Sequence, residues 1–158
     1  MRLSTKSRYG LRALTELVSE YGNGAIALHH IADEQQIPRS YLENLFRAMK
    51  IAGLVMSRRG PGGGWVLARP PDQIRLGEII EALDGNLDVV DCVEHPGVCG
   101  RTSYCATREV YVEVSEAIMG VLNRYTLDDL HRRKIELDRL APLVPEGDDL
   151  CMEPGAGR

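Results

Sequence analysis

The sequence predicts a mainly α-helical protein with one small β-hairpin, arranged as a winged helix-turn-helix domain followed by a long dimerisation helix. Three observations lead to this fold class. Apolar residues recur at helical spacing in several segments. Two of those segments are joined by a tight turn at residues 37–40, which is the helix-turn-helix pattern. Two short strand-like runs then flank a glycine-rich loop at residues 59–64.

The first three helices are predicted from apolar periodicity and from capping residues. Polar residues 4–7 precede a helix that carries apolar residues from Tyr9 to Tyr21 and ends at Gly22. The helix pair follows at residues 27–36 and 41–51, and Ser40 is expected to cap its second member. That second helix has an inward apolar face formed by Leu42, Leu45, Phe46 and Met49.

A β-hairpin is predicted directly after the helix pair. Residues 54–58 and 65–68 suit two strands, and the loop between them contains four glycines and one proline, which a helix cannot accommodate. A hairpin in this position is a wing. A short helix at 76–83, stopped by Gly85, completes a predicted DNA-binding domain of residues 1–85.

The second half of the chain is predicted to contain a loop, two helices and a tail. The loop, residues 86–105, is expected to be irregular, and residues 105–140 are expected to form the dimerisation helix and a final helix. The first of these helices repeats apolar residues like a coiled-coil seam, at Val110, Val114, Ala117 and Val121.

That apolar row can serve a homodimer or pack on the protein's own N-terminal domain. The homodimer is preferred, because the symmetry of an operator mirrors that of the protein. The proline- and glycine-rich residues 141–158 are predicted to be a disordered tail.

Charge is divided unevenly along the chain. Residues 1–75 carry a net charge of +5 and residues 76–158 a net charge of −9, within a total of −4. A basic N-terminal half suits a surface that meets phosphates, although ordinary charge scatter would give the same count. No apolar run approaches the roughly 20 residues of a membrane span, and no signal peptide pattern is present. We therefore expect a cytoplasmic protein without a membrane partner.

Polar side chains occupy the start of the second helix of the pair, where a recognition helix meets base edges. Ser40 and Tyr41 can donate hydrogen bonds to phosphate. Glu43 can accept from a cytosine amino group, and Asn44 can pair with adenine. The competing interpretation is a solvated helix face, in which Ser40 serves only as a cap.

The predicted wing offers a second set of DNA contacts. Arg58 and Arg59 precede the loop, and an arginine at a wing tip can enter a narrow minor groove. Gly60, Pro61 and Gly62 leave backbone N–H groups open to phosphate. A nucleotide-binding loop would instead require P-loop or dinucleotide-fold spacing that leads into a helix, whereas this loop leads into a strand pattern.

Three cysteines, Cys92, Cys99 and Cys105, lie close together in the predicted loop. Thiolates are soft metal ligands, and the absence of a C-x2-C pair favours an iron–sulfur cluster over structural zinc. Free, redox-active thiols are the alternative. A cluster also needs a fourth ligand. The candidates within this chain are His95, Glu109 and Cys151, and a residue of a second subunit is the alternative.

Four segments of the sequence resemble the Rrf2 family of bacterial repressors. They are MRLSTKSRY at 1–9, PRSYLE at 38–43, RGPGGGW at 59–65 and the three cysteines, and the likeness extends over about residues 1–135. The resemblance implies a homodimer that binds a palindromic operator. It also implies that Tyr41, Glu43 and Arg59 contact DNA and that the three cysteines hold the cluster.

The resemblance is closest to the branch of iron–sulfur cluster regulators and next to the nitric-oxide-sensing repressors. In the first branch a histidine three residues after the last cysteine is the fourth ligand, and Arg108 stands at that position here. In the second branch an aspartate near the N-terminus completes the site, and Arg8 stands there. The first cysteine spacing is one residue longer than is usual in the first branch. Between cluster types, [2Fe-2S] is favoured over [4Fe-4S].

These features predict a sequence-specific DNA-binding transcriptional repressor, not an enzyme, controlled by a cluster that senses cluster status, iron, redox state or nitric oxide. The alternative is a regulator of the same fold that senses redox state directly through its thiols. A redox enzyme or iron–sulfur carrier lacks support, because the sequence has no substrate-binding motif and no C-x-x-C. A pure protein-interaction module would leave the wing loop unexplained.

Overall fold

The computed structural model describes residues 4–140 and confirms the predicted fold class. Within that range it contains seven α-helices, a two-stranded antiparallel sheet and three short 3-10 turns, the last at Pro71–Gln73, Pro96–Val98 and Thr102–Tyr104. The helices are α1 (Thr5–Ser19), α2 (Leu28–Gln35), α3 (Arg39–Ile51), α4 (Leu76–Asp84), α5 (Asp91–Glu94), α6 (Ala106–Leu122) and α7 (Leu127–Leu140). The strands are β1 (Val55–Arg58) and β2 (Gly64–Leu67).

Helix α1 begins at a cap that α4 holds in place. The hydroxyl of Ser4 accepts from the backbone N–H of Lys6 at 3.0 Å, which satisfies one of the unpaired donors of a helix start. The carboxylate of Asp84, the last residue of α4, accepts from the Ser4 N–H at 3.0 Å and from the Ser7 hydroxyl at 2.6 Å. The start of α1 is therefore attached to the end of α4.

The turn between α2 and α3 differs from the prediction. Helix α3 begins at Arg39, and Pro38 occupies the cap position with φ −54°, so Ser40 makes no cap hydrogen bond. The carbonyl of Pro38 already accepts from the N–H groups of Tyr41 and Leu42, at 3.0 Å each. Because proline presets its φ angle, the chain enters the helix before reaching Ser40. The prediction that Ser40 is the cap was wrong, and its side chain is left exposed.

One hydrophobic core lies beneath α1 to α4 and the hairpin. Its fully buried members include Leu14, Ile31, Phe46 and Ile79, and α7 adds Leu127. Trp65 of β2 packs edge-on against Phe46 with ring centroids 5.0 Å apart. Removing these side chains from water is the main favourable contribution to folding.

The wing strands pair in the register that sets Val55 opposite Leu67 and Arg58 opposite Gly64. A third segment joins the sheet, because Ile26 and Trp65 exchange two backbone hydrogen bonds at 2.8 and 3.0 Å. The root of the wing is therefore held by the connection between α1 and α2.

The segment from 86 to 105 is more ordered in the structure than the sequence indicated, because α5 and two of the 3-10 turns lie within it. Helix α6 ends at Leu122. There the chain pairs with the start of α4: the N–H of Leu76 donates to Tyr125 O at 3.1 Å, and that of Leu127 to Ile74 O at 2.8 Å.

Helix α7 starts with a reciprocal cap. The Thr126 hydroxyl accepts from the N–H of Asp129 at 3.1 Å, and the Asp129 carboxylate accepts from the N–H of Thr126 at 2.8 Å. The hydrogen bonds that the carboxylate accepts from the Thr126 N–H and from the Thr126 hydroxyl lower the pKa of Asp129. The predicted tail, residues 141–158, lies outside the described residues, together with Cys151. Among the described helices, none has the length and apolar character that crossing a membrane requires.

Candidate DNA interface and cysteine loop

The polar residues at the start of α3 face outward. Ser40, Glu43 and Asn44 are exposed, whereas the other side of the helix is buried through Leu42, Leu45, Phe46 and Met49. Tyr41 is half-buried and packs edge-on against Tyr9 of α1, with ring centroids 6.0 Å apart and an interplanar angle of 90°. The structure thus brings all four predicted base- or phosphate-contacting residues to one end of α3.

Glu43 forms an ion pair with Arg39, a residue that was not among the predicted site residues. The Nε of Arg39 lies 3.2 Å from Glu43 Oε1, and both side chains are largely exposed. An exposed i,i+4 pair of this kind contributes only about 0.3–0.5 kcal/mol. A base edge can therefore replace Arg39 at little cost. The four-residue spacing was the signal that could have identified this pair.

The wing loop is exposed from Arg58 to Gly62. Gly60 has φ +101° and Gly62 has φ +73°, in the left-handed region that favours glycine. A Cβ at either position would meet nothing within 4 Å, so these residues leave an open backbone surface. The N–H of Gly63 donates to Gly60 O at 2.8 Å and closes the turn.

Lys50 connects the recognition helix to the wing. Its ammonium group donates to the Ser57 hydroxyl at 3.0 Å and lies 5.9 Å from the centre of the Trp65 ring. The C-terminal end of α3 is therefore attached to the sheet that presents the wing loop.

Most cations near α3 and the wing have no carboxylate partner. The ion pairs that involve the N-terminal half are Arg39–Glu43, Arg69–Glu78 and Lys134–Glu16. Among the described residues, six cations near α3 and the wing form no ion pair, and their charge is available to a phosphate backbone. They are Arg8, Arg12, Arg47, Lys50, Arg58 and Arg59.

The three cysteines lie at successive bends of one loop. Cys92 is in α5 and half-buried, Cys99 follows the second 3-10 turn and is exposed, and Cys105 is the half-buried cap residue of α6. All three are free thiols. The hydroxyl of Thr102 donates to the carbonyls of Pro96 at 2.6 Å and Cys99 at 2.5 Å, so the loop is held by its own hydrogen bonds.

Arg108 joins the two ends of this loop. Its Nε donates to the backbone carbonyl of Cys92 at 2.9 Å, which connects α5 to the first turn of α6. His95 and Glu109 are exposed. Within residues 4–140, no three His, Cys, Asp or Glu side chains lie close enough together to hold a metal ion. The donor chemistry nevertheless fits an iron–sulfur cluster, because three free thiols lie on one short loop.

Helix α6 packs through one narrow side. Ser115 is its buried residue, and the Ser115 hydroxyl accepts from the N–H of Val89 at 3.2 Å. The apolar row predicted from the sequence stays exposed, at 57% for Val110, 39% for Val114 and 44% for Val121. Within the described part of the chain, this row is not covered by the N-terminal domain.

Comparison with known proteins identifies the family. The chain matches the Rrf2 family, described as "Iron-dependent Transcriptional regulator", over residues 3–133. It is 37% identical over 138 residues to the HTH-type transcriptional regulator IscR of Cronobacter sakazakii, which covers 87% of this chain and 85% of that protein. A corresponding IscR of Escherichia coli O1:K1 is 36% identical over the same length.

Solved structures of similar fold carry related names. The structure of CymR, the global cysteine regulator of B. subtilis, is 37% identical with a TM-score of 0.70, and the match covers 84% of this chain and 98% of that one. The structure of T. potens IscR is 33% identical with a TM-score of 0.67, and the match covers 93% and 94% of the two chains. The protein therefore belongs to the Rrf2 family and is a transcriptional regulator, not an enzyme.

Proposed function

We propose that this regulator is a homodimeric, sequence-specific repressor that binds a palindromic operator and is controlled by its cysteine loop. One observation carries the DNA-binding part of the proposal. The exposed polar start of α3 lies in the same domain as a wing whose arginines have no carboxylate partner within residues 4–140. A recognition helix and a charged wing are the two elements that such a domain offers to duplex DNA.

The roles of individual residues follow from their chemistry. Glu43 and Asn44 read base edges in the major groove, as acceptor from cytosine and as bidentate partner of adenine. Ser40 and Tyr41 donate to the adjoining phosphates. On the wing, Arg58 and Arg59 enter or flank the minor groove, while Gly60, Pro61 and Gly62 allow close approach of the backbone.

The homodimer is proposed on the exposed row of α6. Val110, Val114 and Val121 repeat at coiled-coil spacing along α6, and they are 39–57% exposed. A second copy of the chain would remove this apolar surface from water and supply the two-fold symmetry of a palindromic site.

We infer that Cys92, Cys99 and Cys105 hold an iron–sulfur cluster, [2Fe-2S] in preference to [4Fe-4S]. The inference is supported by the iron-dependent description of the family, by the IscR relatives and by three free thiols on one loop. When bound, the cluster supplies an inorganic centre that reacts with oxidants and nitric oxide. The loop is connected to α6 through Cys105 and Arg108, so a change in its conformation reaches the helix that carries the dimer row.

Direct thiol sensing is the second candidate, and a specific observation favours it. Cys99 is an exposed thiol, and a structure titled as an oxidized form of Staphylococcus aureus CymR is 33% identical to this chain with a TM-score of 0.65. Exposed thiols are the ones that oxidants reach first.

The DNA-binding part is tested by selection from a pool of random-sequence duplexes. We expect enrichment of a palindrome whose half-sites lie about 10 base pairs apart, or a multiple of that distance. A pool that stays random after repeated rounds, with the protein retaining no duplex, would overturn the proposal.

The sensor is tested by the absorbance spectrum and the iron and sulfide content of protein purified without oxygen. Visible cluster bands with stoichiometric iron and sulfide are expected, and triple replacement of the loop cysteines by alanine should remove them. A colourless protein that also stays empty after anaerobic reconstitution would contradict the cluster and leave direct thiol sensing.

A further inference from the structure

We propose that Arg8 and Arg12 of α1 form a second phosphate-contacting edge, which binds the DNA backbone beside the groove occupied by α3. This inference rests on the DNA-binding part of the proposed function. It adds a contact surface on a helix outside both the helix pair and the wing.

The two arginines are gathered next to the start of the recognition helix. The Tyr9 ring, which packs against Tyr41 of α3, has the guanidinium of Arg8 at 5.4 Å and that of Arg12 at 5.8 Å from its centre. Both arginines are exposed. They adjoin the N-terminal end of α3, whereas the wing is attached at its C-terminal end through Lys50. Cations therefore flank the recognition helix at both ends.

Arg12 is held in position by the end of α2. Its Nε donates to Gln35 Oε1 at 2.9 Å and its Nη2 donates to the Gln35 backbone carbonyl at 2.8 Å. Gln35 is the last residue of α2, immediately before the turn that leads to α3. An arginine fixed in this way loses little side-chain entropy when it meets a phosphate.

The same contacts keep the charge of Arg12 uncompensated. The nearest acid in this network, Glu16, accepts from Gln35 Nε2 at 2.5 Å and from Lys134 Nζ of α7 at 2.6 Å. The side-chain and backbone carbonyl oxygens of Gln35 thus accept from Arg12, and its side-chain amide group donates to Glu16. Lys134 neutralises Glu16, while the partner of Arg12 is a neutral residue.

Arg8 and Arg12 have no ion-pair partner among residues 4–140. Two uncompensated guanidinium groups beside a recognition helix fit the phosphates of a duplex.

The test measures the affinity of the full-length protein for a mixed-sequence duplex at several salt concentrations. Because phosphate contacts are independent of sequence, no operator is needed. We expect Arg8→Gln and Arg12→Gln each to weaken binding and to reduce the slope of log K against log salt by about one. Arg133→Gln, the same change on exposed α7, is the matched control and should leave the slope unchanged.

Gln35→Glu separates a charge role from a structural one. A carboxylate at this position would pair with Arg12 and neutralise its charge, while the hydrogen bond from Gln35 to Glu16 would be lost. If Arg12 contacts phosphate, the slope of log K against log salt is also reduced by about one in this variant. If Arg12 only joins α1 to α2, the variant keeps the slope of the wild type. Circular dichroism melting of each variant checks that the fold is retained.

The inference is overturned if both α1 variants have the slope of Arg133→Gln while Arg59→Gln still weakens binding. In that case the proposed function stands without the α1 edge. Failure of the wild type to bind either the mixed-sequence duplex or any selected duplex would instead remove the proposed function, and the inference with it.

Discussion

Two glycines of the wing have no room for a side chain. A Cβ on Gly64 would lie 2.3 Å from the backbone oxygen of Ile26, and one on Gly63 would lie 2.6 Å from that of Arg58. The Gly64 contact lies at the bridge between Ile26 and Trp65, whereas the Gly63 contact lies within the wing turn. The glycine run therefore has two roles: Gly60 and Gly62 shape the exposed turn, while Gly63 permits close packing inside it and Gly64 at its root.

We expect Gly64→Ala to destabilise the protein by about 1–3 kcal/mol, since the added methyl group must displace backbone atoms. The measurement is chemical unfolding monitored by circular dichroism. Gly97→Ala is the matched control, because a Cβ there meets nothing within 4 Å and its φ is not positive. Equal stability of the two variants would contradict this account of the wing root.

Asp84 makes the stability of the α1 start depend on pH. Partial burial raises its pKa, but hydrogen bonds from Ser4 and Ser7 and the charge of Lys6 outweigh this effect and lower it. The contribution of a carboxyl with a lowered folded-state pKa is complete above the unfolded pKa, near pH 4 for aspartate. It is lost as the pH falls through the folded-state value.

Asp84→Asn should therefore lower stability at neutral pH and make stability less dependent on pH below about 4. Unfolding free energies at a series of acidic pH values measure both effects. Asp72→Asn, which changes an exposed aspartate, should retain the wild-type dependence. An unchanged pH profile in Asp84→Asn would show that protonation of the Asp84 carboxyl is not coupled to folding.

At the level of elements, α3 and α6 expose opposite kinds of residue: α3 exposes polar residues and α6 exposes apolar ones. Helix α3 buries its apolar face completely, with Leu42, Phe46 and Met49 at 0% exposure, and leaves polar residues for DNA. Helix α6 buries Ser115 and leaves an apolar row in solvent. The first arrangement is sufficient for a folded domain, whereas the second leaves the apolar surface on which the homodimer is proposed.

Val114→Glu and Val121→Glu should each convert the dimer to a monomer, because a carboxylate in an apolar interface loses hydration without a partner. Molecular mass by light scattering, over a range of concentrations, measures the change. Glu116→Lys reverses a charge on another side of the same helix and should preserve the dimer. Wild-type mass in both valine variants would refute the proposed interface.

At the scale of the whole molecule, the cysteine loop and the DNA-binding domain share one connection through α6 and α4. A Cβ on Gly77 of α4 would lie 2.2 Å from Asn123 Oδ1 and 3.1 Å from the end of Met119, so the helices are in close contact. Arg75 and Thr126 add a backbone bridge at the same place. A displacement that begins at Cys105 can thus reach α4, which itself packs against α1 and α3.

We predict that Cys99→Ala changes the affinity or sequence preference for a selected duplex by about 5- to 150-fold, the usual range of coupling between sites. The fold should be retained, because Cys99 is exposed. Binding is measured with anaerobically purified and with cluster-free protein, and circular dichroism checks folding. Ser103→Ala, an exposed change in the same loop, is the control. Identical binding of wild type and variant in both preparations would contradict the switch.

The order of the helices, the position of the wing and the outward polar start of α3 follow from the amino-acid sequence alone. These features depend on local rules, since apolar spacing selects a helix face and glycine or proline selects a turn. The exposed row of α6 was readable for the same reason. Ser40 was assigned the wrong role because Pro38 supplies the helix start two residues earlier.

The contacts between distant parts of the chain are visible only in the folded protein. Gln35 stands between Arg12 and Glu16, Lys134 reaches Glu16 across 118 residues, and Gly64 lies against Ile26. No local pattern contains these pairings, because they arise when distant segments pack around one core. Helical periodicity predicts which cations lie on the surface. The packing of distant segments then determines which of them form ion pairs and which remain available to a phosphate.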